Sequence, residues 1–200
     1  MRRIGIRRED KSPFERRATL TPAHVRRARG ELGLEVVVQP SPIRVFTDQE
    51  YADAGAVVSE DLSTCDMILG VKEIPLDLLL PDQAYAFFSH TVKGQAYNME
   101  MLRTLMGRGC TLVDYECIVD DQGRRLVFFG YYAGLAGMLD TLWALGQRAA
   151  SDGIDSPFSA MKRAYQYHDL DEARAAVEEV GRAIRVKGIP YDLQPLVIGY

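Results

Sequence analysis

The sequence predicts an α/β fold: a parallel sheet with helices on both faces, followed by linker helices. Two observations carry this. Short apolar or β-branched runs alternate with helix signals through the first two thirds of the chain, joined by short loops, which is the pattern of strand–helix–strand units. After Gly130 the apolar residues change to helical spacing. Such a sheet is Rossmann-like or flavodoxin-like in class.

The elements follow in order. Ile4 and Ile6 alternate with polar neighbours as in a short strand, within residues 1–7. Thr21 then reads as an N-cap, with Pro22 at the first helical position. A helix over 24–32 ends at Gly33, and 34–38 is a β-branched strand. Thr47 and Glu50 make a capping box for a helix that stops at Gly55. Strands are expected over 56–58, 66–72 (DMILGVK), 84–90 (AYAFFSH) and 111–115, with a helix over 95–106 before the last. The turn 120–123 (DDQG) predicts a hairpin between 116–119 and 125–129. Leu135, Met138, Leu139, Leu142 and Leu145 predict a long helix over about 133–150. Asp169 and Glu172 open another helix with Ala173, Ala176, Val177, Val180 and Ile184 on one face, ending at Gly188. The last run, 196–200 (LVIGY), reads as a buried strand reaching glycine, as a dinucleotide-binding strand-to-helix turn begins. The expected organisation is therefore a substrate-binding domain over 1–130, interdomain helices over 131–190, and the first strand of a second domain over 191–200.

Composition narrows the function classes. Hydrophobic residues make up 47% and charged residues 26%, ordinary for a globular protein. A net charge of -4 gives no electrostatic case for nucleic acid. Cys65, Cys110 and Cys117 are too sparse and wrongly spaced for a disulfide framework or a zinc site, so a reducing cytoplasm fits best. The arginine-rich start has no apolar stretch behind it and is not a signal peptide. The longest uncharged run, 126–139, is shorter than the roughly 20 residues of a membrane span. The clustered arginines Arg2, Arg3, Arg7, Arg8 and Arg16 are expected to line a solvated strand edge.

Chemistry is expected at the carboxyl ends of the strands, where open parallel sheets bind ligands. Lys72 and His90 each sit at the carboxyl end of such a strand. A histidine titrates near neutrality, and a partly desolvated lysine can also shuttle protons. The plain reading, a surface lysine and a loop histidine, fits each residue taken singly. Arg17 lies in the loop entering the first helix, where a guanidinium can hold a carboxylate bidentately. Glu73 and Glu116 stand at strand ends, either as surface charge or as ligands for an ammonium group. His24 and His168 rank lower. No G-x-S-x-G, H-E-x-x-H or G-x-x-x-x-G-K-[ST] occurs.

Several stretches carry a family resemblance: 4–22 (IGIRREDKSPFERRATLTP), 71–75 (VKEIP), 85–95 (YAFFSHTVKGQ), 113–116 (VDYE) and 121–138 (DQGRRLVFFGYYAGLAGM). They resemble the lysine-ketoglutarate reductase domain of bifunctional α-aminoadipic semialdehyde synthases and the fungal lysine-forming saccharopine dehydrogenases, within the alanine dehydrogenase and transhydrogenase group. The resemblance implies an oxidoreductase that joins the lysine ε-amine to the keto carbon of 2-oxoglutarate, with NAD or NADP as cofactor. It implies Lys72 and His90 as proton-transfer groups, Arg17 as a carboxylate ligand, and Glu73 and Glu116 in the lysine pocket. It also implies that Lys93 and Arg125 are basic positions near the site. Partners are then a small amino acid and a 2-oxo acid, with neither nucleic acid nor membrane, and with room for a homo-oligomer. In the family the strand matching 196–200 leads into a glycine-rich turn, so Gly199 is expected to start a cofactor loop whose remainder the chain lacks. The chain then reads as a fragment. The alternatives are an alanine dehydrogenase-like enzyme and a stand-alone amino-acid-binding regulatory module.

Overall fold

The computed structural model of the chain describes residues 2–189. These form two compact units, divided between Phe128 and Phe129. The expected strand over 196–200, with Gly199, lies outside the described residues.

The first unit is built on six parallel strands: β1 (Arg3–Ile6), β2 (Glu35–Val38), β3 (Val57–Val58), β4 (Met67–Leu69), β5 (Ala84–Phe87) and β6 (Thr111–Asp114). Their order across the sheet is β3-β2-β1-β4-β5-β6, with every pairing parallel. The chain runs outward from β1 through β2 to β3, returns to lay β4 against the other side of β1, and continues through β5 to β6. Between β1 and β4 lies the switch point, where the direction of winding reverses.

Alternation along the strands separates two cores. Ile6, Val36 and Val38 pack with Val25 and Ala28 of α1 (Pro22–Leu32) and with Tyr51 of α2 (Asp48–Asp53). Val37, Ile68, Tyr85 and Phe87 face the other way, against Leu62, Ile74, Leu79 and Met101 and Leu105 of α3 (Met99–Gly107). Helices therefore cover both faces, as the alternation of signals predicts. Each fully buried large apolar side chain contributes about 1.5–3 kcal/mol.

Local sequence accounts for the element ends. The Thr21 side chain accepts the His24 amide, Pro22 stands in the first turn of α1, and Gly33 closes the helix at φ 62°. The Thr47–Glu50 capping box is present at α2. Two strands are shorter than expected: β4 stops at Leu69 and β5 at Phe87. Lys72 and His90 thus lie three residues beyond their strands, on loops. The expected hairpin is reduced to one antiparallel bridge, Val119 with Arg125, and Glu116 sits in a short 3-10 turn, Tyr115–Cys117.

The second unit pairs α4 (Gly130–Ser151) and α5 (Leu170–Lys187) with two 3-10 turns. Phe158, Met161 and Val180 form its core, bordered by Leu142, Trp143 and Ile184. Asp169 caps α5 by accepting the Glu172 amide. Among the described residues no helix is long and apolar enough to cross a membrane.

Candidate functional site

The parallel order sets the loops after β1, β4, β5 and β6 side by side along one edge, starting at the switch point. Polar residues that are buried or half-buried concentrate there.

The loop after β1 carries Glu9, Lys11, Glu15 and Arg17. It is tied down at its far end. The Val45 amide donates to the Arg16 carbonyl at 2.8 Å, and the Tyr51 hydroxyl donates to the Leu20 carbonyl at 2.6 Å. Glu9 is only 6% exposed, and its carboxylate accepts the Val71 and Lys72 amides at 2.7 and 2.9 Å. Burial pushes the Glu9 carboxyl above its ordinary value, against the two amides and the Arg7 charge. Arg17 holds Glu15 bidentately, with Nε at 2.7 Å and Nη2 at 2.6 Å. Burial pushes the Glu15 carboxyl up. The bonds and charge of Arg17, with the charge of Lys72, outweigh it and leave Glu15 below its ordinary value. Glu9, Glu15, Arg17 and Lys72 therefore share one electrostatic cluster at the β1–β4 switch point.

The β5–β6 side carries His90 and Glu116. His90 holds φ 52°, a conformation uncommon outside glycine. Its ring stacks on Phe88 at 6.4 Å, and Phe88 meets the Tyr115 ring edge-on at 5.1 Å. His90 Nδ1 stands 3.6 Å from the Glu116 carboxylate, within ion-pair range but too long for a hydrogen bond. Arg125 reaches the same carboxylate at 3.2 Å. The Tyr115 phenol is pushed up by burial and by the charge of Glu9, which links the two sides of the edge.

Beneath these loops runs a buried polar network. The Asn98 side-chain amide donates to Glu73 at 3.1 Å and to the Ser89 carbonyl at 2.7 Å. The Ser89 hydroxyl donates to Asp114 and lies 2.7 Å from the Thr91 hydroxyl. Lys11 closes on Glu73 at 2.6 Å. Burial pushes the Glu73 carboxyl up, but Lys11 and Asn98 more than offset it, and the group sits below its ordinary value.

The structure thus sets Lys72 and His90 after neighbouring strands, Arg17 on Glu15, which also feels the charge of Lys72, and Glu116 with Arg125 beside His90. Glu73 is not surface charge; it is buried and engaged by Lys11. Lys93 lies exposed in the turn 91–94. His24 completes the cap of α1, and His168 is exposed beside Asp169. The solvated-edge reading fails for Arg7. It is 7% exposed, its stem crosses Gly70, and Nη2 pairs with Asp10 at 2.8 Å. Sequence reasoning missed Glu9, Lys11, Glu15, Ser89, Asn98 and Asp114. The one signal was that Glu9, Lys11, Glu15 and Ser89 follow strands and Asp114 ends one. Among the described residues no group of three or more His, Cys, Asp or Glu can hold a metal ion. A hollow of about 260 Å³ lined by Arg7, Arg8, Gln39, Leu62, Ile68 and Tyr85 includes none of Arg17, Lys72 and His90.

Comparison with known proteins agrees with this fold. A family model described as alanine dehydrogenase/PNT, N-terminal domain, matches residues 5–136. The chain is 45% identical over 199 residues to an alpha-aminoadipic semialdehyde synthase of Arabidopsis thaliana, covering 97% of this chain and 19% of that protein. It is 37% identical over 140 residues to a saccharopine dehydrogenase [NAD(+), L-lysine-forming] of Yarrowia lipolytica, covering 68% of this chain and 37% of that one. The chain thus spans about a fifth to two fifths of the length of these relatives. A solved L-alanine dehydrogenase superposes with a TM-score of 0.60 at 22% identity, covering 94% of this chain and 59% of that one. That last likeness concerns the fold alone.

Proposed function

The chain belongs to the alanine dehydrogenase/PNT N-terminal domain family, and from that premise we propose that it is the substrate-binding portion of an NAD(P)-dependent dehydrogenase joining lysine to 2-oxoglutarate, or running the reverse. The carrying observation is the placement of Lys72 and His90 after adjacent parallel strands at the switch-point edge.

The charged side chains suit the two substrates. Arg17 and Lys72 offer positive charge to the carboxylates of the 2-oxo acid. Arg17 already binds one carboxylate, that of Glu15, in the bidentate geometry a substrate would use. Glu73 and Glu116 offer negative charge to the ammonium groups of lysine. Arg125 tempers Glu116, and Lys93 supplies charge at the rim.

The chemistry calls for two proton carriers. When the amine nitrogen attacks the keto carbon, a proton must leave nitrogen and one must reach the oxygen. A second proton must reach that oxygen before it departs as water and the C=N bond forms. Lys72 and His90 are residue types that exchange protons under mild conditions, and each reaches the edge from its own loop. Reduced NAD(P) supplies the hydride in the family; the described residues act on the substrates instead.

Calorimetric titration of the chain tests the reading. We expect 2-oxoglutarate to bind, with Arg17→Ala weakening it about tenfold or more, as for loss of a charge-assisted hydrogen bond. Glu116→Gln should weaken L-lysine and spare 2-oxoglutarate. Pyruvate bound in preference to 2-oxoglutarate would shift the assignment to the alanine dehydrogenase-like alternative.

A further inference from the structure

We propose that Glu9 is the positioning residue for Lys72: its ionised carboxylate fastens the loop after β4 to the loop after β1 and so fixes where Lys72 presents its ammonium. The proposal rests on the reading of Lys72 as a proton-transfer group.

The ladder explains why a fastener is needed. Between β4 and β5 it continues past Leu69 only as far as the Gly70 amide on the Ala86 carbonyl and the Phe88 amide on the Val71 carbonyl. The next two amides, of Val71 and Lys72, find no strand. Val71 is buried and Lys72 half-buried, so amides without acceptors would be costly. Glu9 reaches across the switch point and accepts both, Oε1 from Val71 at 2.7 Å and Oε2 from Lys72 at 2.9 Å.

This geometry uses both carboxylate oxygens. An ionised carboxylate is acceptor-only and suits two facing N–H groups, whereas a protonated or amide side chain turns a donor toward one of them. The groups acting on Glu9 come from every side: Arg7 at the end of β1, Glu15 and Arg17 on its own loop, the Val71–Lys72 backbone after β4, and Tyr115 after β6. Burial raises the carboxyl above 4.5, so the fastener lets go at a milder acidity than an exposed glutamate would need. Glu15 feels the charge of Lys72, whereas Glu9 holds its backbone. One residue sets position and the other the local field.

The test uses the 200-residue chain. In amide NMR, the Val71 and Lys72 signals should titrate together, with one midpoint above 4.5. Glu9→Gln should abolish that shared titration and speed exchange of one of the two amides about tenfold or more. Acylation of Lys72, read by mass spectrometry against Lys93 as internal reference, should change about threefold or more in Glu9→Gln, with Glu9→Asp closer to the parent. Independent titration of the two amides overturns the proposal, as does an unchanged Lys72 to Lys93 ratio in folded Glu9→Gln. If Glu9→Gln fails to fold, the titration of the parent chain decides alone. Failure of lysine and 2-oxoglutarate to bind would remove the functional reading while leaving the shared titration standing, so the two failures are distinct.

Discussion

At the residue scale, His90 combines a left-handed backbone with a ring stacked on Phe88. His90→Asn, a residue that tolerates this conformation, should leave thermal stability nearly unchanged. His90→Val should cost about 1–2 kcal/mol in urea unfolding, because a β-branched side chain resists positive φ. In an enzyme carrying this domain, Lys72→Met and His90→Gln should each lower turnover by roughly 10²–10⁴ while leaving cofactor affinity nearly unaltered, as steady-state kinetics would read. Glu73 has a pH signature. Its folded-state carboxyl lies below its ordinary value of 4.5, so its contribution is fully present above that value and is lost as pH falls through the folded one. The parent should therefore exceed Glu73→Gln by about 1 kcal/mol in urea unfolding near neutrality, with the gap closing below 4.5. Glu9 works in the opposite sense. Its folded-state carboxyl is raised, so between 4.5 and that value it makes the chain more stable as pH falls. The Lys72, His90 and Arg17 positions were legible because each follows a strand in a recognisable stretch. Glu9, Asn98 and Asp114 were not, since a polar residue at a strand end or before a helix reads the same whether solvated or buried. Only the three-dimensional contacts distinguish the two.

At the element scale, helix ends were the most readable feature, because capping is chemistry between residues three apart. Thr47→Ala removes the side chain that accepts the Glu50 amide and should cost about 1 kcal/mol in chemical unfolding. Strand ends were less readable. The apolar runs 66–72 and 84–90 continue past the points where pairing stops, and hydrophobicity does not report whether a neighbouring strand is still within reach. In the second unit, a Cβ at Gly146 of α4 would lie 2.3 Å from the Phe158 carbonyl oxygen. Gly146→Ala must displace backbone and should cost about 1–3 kcal/mol, although alanine is the better helix former. Differential scanning calorimetry would show it as a lowered midpoint. Nothing in the spacing of α4 marks that glycine apart from Gly134 and Gly137, which meet no such contact.

At the scale of the whole molecule, alternating strand and helix signals implied parallel strands, and the observed order adds what periodicity lacks: the reversal between β1 and β4. That reversal opens one edge and brings residues more than sixty positions apart, Glu9 and Lys72, into contact. We propose that this edge, rather than the hollow beside Arg7, receives the substrates. Amide NMR of the chain with L-lysine and 2-oxoglutarate added together distinguishes the two places. Saturable shifts should be confined to Glu9, Glu15, Arg17, Lys72, Glu73, His90 and Glu116 and their immediate neighbours. Shifts centred on Arg8, Gln39 and Leu62, with Lys72 and His90 unmoved, would contradict it.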